Sequence, residues 1–125
     1  MTENEIGDVI VDAALKVHSA LGAGLLESVY EACLLHELVK RGLTVGRQVP
    51  CPIVYDGLKI DGAFRLDLVV GEKVVVEVKA VEKLMPVHTA QILTYLKLGN
   101  FKLGYLLNFD VAHMKDGIKR TVNQL

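Results

Sequence analysis

Between Glu3 and Leu21 the apolar residues fall at Ile6, Val9, Ile10, Ala13, Ala14, Val17 and Leu21. Spacings of three and four predict a helix with one apolar stripe. Gly22-Ala23-Gly24 interrupts it. A second helix is predicted from Leu25 to Arg41, with Leu26, Val29, Cys33, Leu34 and Leu38 as its apolar positions. Gly42 stands just past its end, where a left-handed residue closes many helices.

The period then changes from helical to alternating. Pro50 and Pro52 flank an extended run through Ile53, Val54 and Tyr55, which suits an edge strand because proline donates no ladder bond. Asp56-Gly57 signals a hairpin. The return strand runs from Leu58 to about Val70. Alternation puts Leu58, Ile60, Phe64, Leu66 and Leu68 on one face, and Lys59, Asp61, Arg65 and Asp67 on the other. Gly62 is expected to bend it. Gly71-Glu72-Lys73 turns the chain into a strand over Lys73 to Ala80. There Val74, Val76 and Val78 point one way, and Val75, Glu77 and Lys79 the other. Apolar residues on both faces predict a central, covered strand.

Pro86 opens a third helix, which continues to Leu98 and ends at Gly99-Asn100. Lys102 to Phe109 reads as a further strand. The tail "MKDGIKRTVNQL" follows no single period. Hairpin-joined strands followed by a crossover helix and one more strand predict an α/β fold, a mixed β-sheet flanked by helices.

Composition narrows the class. The chain has 125 residues, one domain's worth over 1–125, and 51% of them are hydrophobic. No apolar run reaches the roughly 20 residues of a membrane span. The acidic start "MTENEIGD" lacks the basic and apolar regions of a signal peptide, so a cytoplasmic protein and no membrane partner are expected. The high apolar content predicts a well-filled core or a homo-oligomer interface. A net charge of −1 argues against broad electrostatic grip on a polyanion. The two cysteines, Cys33 and Cys51, make no metal pattern and read as reduced thiols.

The chemistry gathers in "KVVVEVKA". Glu77 and Lys79 share a strand face, and burying either charge unpaired is costly. Whether Asp67 joins them depends on the turn. A two-residue loop pairs Val70 with Lys73 and sends Asp67 to the opposite face. A three-residue loop pairs Val70 with Val74 and sets Asp67 opposite Glu77. Adjacent carboxylates repel unless they share a proton or bind a cation, and oxygen ligands suit Mg²⁺ or Mn²⁺. A nearby lysine would orient and polarise an attacking water. These parts suit hydrolysis of phosphodiester bonds.

Asp67, nine residues, then Glu77-Val78-Lys79 resembles the D…(D/E)-x-K signature of the PD-(D/E)XK nuclease superfamily. "QILTY", Gln91 to Tyr95, is similar to the Q-x-x-x-Y motif of RecB-type members. "GLLESVY", Gly24 to Tyr30, resembles the G-x-x-E-x-x-Y signature of the GxxExxY family, and the likeness spans nearly the whole chain. Leu66 stands where the superfamily has a proline. The resemblance implies a restriction-endonuclease-like αβββαβ core with an extra N-terminal helix, and a Mg²⁺- or Mn²⁺-dependent nuclease with nucleic acid as partner. It implies Asp67, Glu77 and Glu27 as metal ligands, helped by the Val78 carbonyl. Lys79 would activate water, and Gln91 would brace the lysine or the water. Tyr95 would contact a phosphate or simply pack. Geometry permits the set: Gly24 falls one turn before Glu27 and allows close approach. His88, Gln91 and Tyr95 lie on one helix face, which adds His88 as a candidate substrate-binding residue.

Plainer readings stand beside these. Glu77 and Lys79 also fit a surface ion pair, Glu27 a first-turn helix acid, His88 a helix-start residue rather than a site residue. Tyr30 and Tyr95 also fit core aromatics. Among scattered basic residues Arg65, on the expected Asp67 face, is the candidate phosphate contact. Two rival functions fit as well: a non-catalytic binding or assembly module that keeps the fold, and a small-nucleotide phosphodiesterase.

Overall fold

Thr2 opens the first helix. Its hydroxyl accepts the Glu5 N–H at 3.2 Å, and the Glu5 carboxylate accepts the Thr2 N–H at 2.8 Å. This reciprocal cap satisfies two otherwise orphaned donors. In the computed structural model, which describes residues 1–125, α1 spans Glu3–Leu21 and α2 Glu27–Lys40. Next come β1 (Val45–Tyr55), β2 (Leu58–Val70) and β3 (Val74–Lys79), then α3 (Pro86–Gly99) and β4 (Leu103–Asn108). A short 3₁₀ turn at Met114–Gly117 leads into β5 (Ile118–Val122). No helix is long and apolar enough to cross a membrane.

The five strands form one sheet in the order β1-β2-β3-β4-β5. Only β3 and β4 are parallel; every other pair is antiparallel. A parallel pair needs a crossover, and α3 supplies it. β1 is an edge strand, as its prolines predict, and β3 lies at the centre. The tail provides β5. Its charged, exposed side chains suit an edge and blur the period that would have marked it as a strand.

The sheet has two unequal faces. On one, α1 and α2 close a cluster of eighteen buried residues that includes Val74, Val76 and Val78 of β3 and Leu103, Tyr105 and Leu107 of β4. On the other, Ile92 and Leu96 of α3 form a cluster of five with Leu66, Val75 and Leu106. Leu68 and Val70 belong to the first cluster, yet Leu66 belongs to the second. The expectation that Leu66 and Leu68 share a face is therefore wrong. β2 changes faces at Asp67, and β1 does so opposite it: Val45 packs on the α1–α2 side and Val49 on the α3 side. The cause is Gln48, which sits mid-strand at φ 52°. A left-handed residue costs roughly 1–2 kcal/mol and breaks the alternation of side chains. Neither Gln48 nor Asp67 pairs in the ladder, although Arg47↔Leu68 and Val49↔Leu66 pair on either side.

A second correction concerns Gly24. α2 begins only at Glu27, so Gly24 lies in the loop before it. A Cβ there would meet nothing within 4 Å, and its φ is +97°. Gly24 is needed for its backbone conformation, not for close approach.

Candidate active site

The turn between β2 and β3 decides which side chains meet. Val70 pairs with Val74, so Gly71-Glu72-Lys73 is a three-residue loop, closed by Lys73 N–H donating to the Val70 carbonyl at 3.1 Å. Gly71 and Glu72 both take left-handed backbone, at φ 58° and 62°. The ladder runs through Val69↔Val75 and Leu68↔Val76 and stops. The next position in register would pair Asp67 with Glu77. Here side chains replace the backbone partners. The Asp67 N–H donates to Glu77 Oε2 at 2.8 Å, and the Val78 N–H donates to Asp67 Oδ2 at 2.8 Å. Two carboxylates are thereby locked side by side where the strands part.

Burial sets their electrostatics. Glu77 is only 3% exposed. Loss of water raises its carboxyl, the neighbouring Asp67 carboxylate raises it further, and it reaches about 8. The Asp67 N–H and the Lys79 charge oppose that shift. Asp67 itself is raised, first by burial and then by Glu31, against the Val78 N–H, Gln48 and Lys79. Glu27 stands at the exposed start of α2. Its carboxyl is raised by partial loss of water and by Asp67 and Glu31, while Lys79 and the Ala80 amide hold it down. The site thus crowds three acids, each harder to ionise than a free carboxyl, and the charge of Lys79 only partly offsets this.

Lys79 follows Glu77 on the same face of β3. Its Nζ donates to Gln91 Oε1 across a long 3.5 Å, so the first helix turns of α3 hold the lysine. Tyr95, one turn further along α3, stacks on Phe64 with centroids 4.9 Å apart and planes 19° apart. Burial raises its hydroxyl pKa, and the charges of Glu77 and Asp67 add to that. Tyr95 therefore walls the acid pair rather than standing free. Tyr30 is a core aromatic. It is fully buried and stacked on Phe109 at 4.6 Å. Its hydroxyl donates to the Gly22 carbonyl at 2.6 Å and accepts the Leu25 N–H at 3.1 Å. This staple fixes the loop that presents Glu27.

Asp67, Glu77, Lys79, Gln91 and Tyr95 come together, with Glu27 near enough to feel the charges of Asp67 and Lys79. Arg65 does not join them; it is exposed and makes no hydrogen bond or ion pair with the cluster. His88 is spent on the helix start, where its Nδ1 accepts the Met85 N–H at 2.9 Å. Sequence reasoning missed Glu31, Arg47 and Gln48. Glu31 is 6% exposed, and its Oε1 accepts from Arg47 Nε at 3.2 Å and Gln48 Nε2 at 2.9 Å. Its position four residues after Glu27, on the same helix face, was the available signal.

The chain is thus an α/β protein with a mixed sheet whose central strand carries an acid and a lysine beside a second acid. The chain belongs to the PD-(D/E)XK nuclease superfamily, whose family model matches residues 4–121. Neither a curated protein nor a solved structure matches the chain. Nucleases of this superfamily generally use Mg²⁺ or Mn²⁺. In this structure no three His, Cys, Asp or Glu side chains converge as metal ligands. The donor chemistry fits such an ion all the same: the carboxylates of buried Glu77 and half-buried Asp67 lie side by side, and oxygen donors of this kind suit a hard divalent cation.

Proposed function

We propose that this chain is a Mg²⁺- or Mn²⁺-dependent nuclease that hydrolyses phosphodiester bonds in DNA or RNA. The observation that carries the reading is the reciprocal lock between Asp67 and Glu77 next to the Lys79–Gln91 contact. Asp67, Glu77 and the Val78 carbonyl would hold the ion, with Glu27 completing the set from α2. When bound, the ion supplies positive charge to the reacting phosphate and lowers the pKa of the attacking water. The protein's own groups do the rest. Lys79 orients the water and offsets charge on the phosphate oxygens. Gln91 keeps the ammonium from folding back onto Glu77. Tyr95, backed by Phe64, excludes bulk water from the acid pair and offers its hydroxyl toward a substrate. The G-x-x-E-x-x-Y stretch fits the same scheme, with Tyr30 setting the loop and Glu27 facing the site.

The test is cleavage of single- and double-stranded DNA and RNA with either ion, alongside calorimetric metal titration of native protein and Asp67→Asn. The expected result is metal binding that Asp67→Asn weakens at least tenfold, and cleavage that Glu77→Ala and Lys79→Ala abolish. Cleavage that survives Glu77→Ala sinks the reading. Absence of any metal binding would favour a non-catalytic assembly module, and turnover of dinucleotides but not polymers a small-nucleotide phosphodiesterase.

A further inference from the structure

Gln48 combines three features that no residue of the D…E-x-K pattern explains. It holds a left-handed backbone, φ 52°, in the middle of a strand, where a non-glycine residue is strained. It faces Asp67 across the gap in the β1–β2 ladder. And its Nε2 donates to two carboxylates at once: Glu31 Oε1 at 2.9 Å and Asp67 Oδ1 at 3.3 Å. A carboxamide nitrogen has two hydrogens, so both acceptors are served, and two carboxylate partners fix which end of the amide faces them.

We propose that Gln48 is a positioning residue of the site: bridging buried Glu31 and Asp67, it sets the direction in which the Asp67 carboxylate meets the Val78 amide and Glu77. Glu31 is the anchor. It is buried, held on α2, and grips the neighbouring Arg47 as well, so two successive residues of β1 are drawn to the same side. That pull accounts for the left-handed backbone. It also accounts for the loss of pairing at Asp67, which frees the aspartate to turn one oxygen toward Gln48 and the other toward Val78. The chemistry of the donor matters. A neutral amide steadies an acid without cancelling its charge, so the site stays attractive to a cation. A lysine at this position would neutralise what it positioned.

The consequence for catalysis rests on the nuclease reading; the positioning itself does not. Two variants separate the carboxamide from the backbone. Gln48→Gly fits the left-handed φ and removes the amide. Gln48→Glu keeps the shape and, when ionised at alkaline pH, cannot donate. The first measurement is amide hydrogen exchange by NMR on metal-free protein. In both variants the Val78 amide, held by Asp67, should exchange at least tenfold faster, with Val76 unchanged. Native-like protection of Val78 in Gln48→Gly overturns the proposal. The second is Mg²⁺-dependent cleavage. Here kcat should fall about tenfold in Gln48→Gly at unchanged KM and with a Tm equal to or above that of the parent. Unchanged kcat with lost Val78 protection would overturn the link to catalysis. If the parent cleaves nothing, the nuclease reading fails and the exchange result still decides the role of Gln48.

Discussion

On one side of β3, Val74, Val76 and Val78 enter the eighteen-residue cluster under α1 and α2; on the other, Val75 alone enters a cluster of five, followed by Glu77 and Lys79. One six-residue strand therefore has a dry face and a chemical face. The difference lies in how many helices cover each. Two helices close the first face completely. The single helix α3 leaves the second face open at its end, where β2 and β3 part. The charged cluster lies on the thin side, where a ligand has access, while the thick side keeps the backbone in place around it.

The comparison can be broken in three ways. The largest effect concerns pH. The Glu77 carboxyl is raised in the folded protein to about 8 from 4.5, and Asp67 shifts in the same direction. An acid whose pKa rises on folding stabilises the protein fully below its unfolded value and ceases to as the pH climbs through its folded value. Metal-free protein should lose on the order of 4 kcal/mol between pH 4.5 and pH 9 in urea unfolding. Glu77→Gln should flatten that slope. A slope that survives Glu77→Gln combined with Asp67→Asn would place the charge cost elsewhere than on the chemical face.

Next comes packing. Leu34→Ala, beneath the two helices, should cost about 3 kcal/mol of unfolding free energy, because the closed side cannot collapse around the void. Ile92→Ala, under α3 alone, should cost about 2 kcal/mol, since a thinner layer relaxes more. Equal losses would erase the distinction between the faces. The smallest effect lies on the thick side, in the loop that joins α1 to α2. Tyr30→Phe leaves the Gly22 carbonyl and Leu25 amide without their partner and should cost about 1 kcal/mol. It should also raise the exchange of the Leu25 amide, which thermal melts alone would not reveal.

Much of this was readable in the residues. Helical spacing gave α1 to α3, the prolines of β1 put it at an edge, and the valine run put β3 at the centre. The site was half legible. Period-two alternation paired Glu77 with Lys79 and reduced the place of Asp67 to a question of loop length, which the three-residue turn answers. What escaped was set by tertiary contacts. Nothing about a glutamine announces a left-handed mid-strand backbone; Glu31 imposes it from another element. Hence Leu66 and Leu68, which alternation puts together, part company. Arg65 and His88 were chosen by face and spacing. One is an exposed strand residue, and the other closes the start of α3.

The two hairpins of this sheet should differ in how they tolerate changes of length. At Asp56-Gly57 the strands run out beyond the core, with Val54, Tyr55 and Leu58 exposed. Residues added there disturb no buried neighbour, so that tip can lengthen, accept a tag or be cut. At Gly71-Glu72-Lys73 one residue more or fewer rotates all of β3 by half a turn, driving Glu77 into the valine cluster and the valines toward solvent. That turn is where the chain counts, and natural or engineered variants should keep its length even where they change its letters.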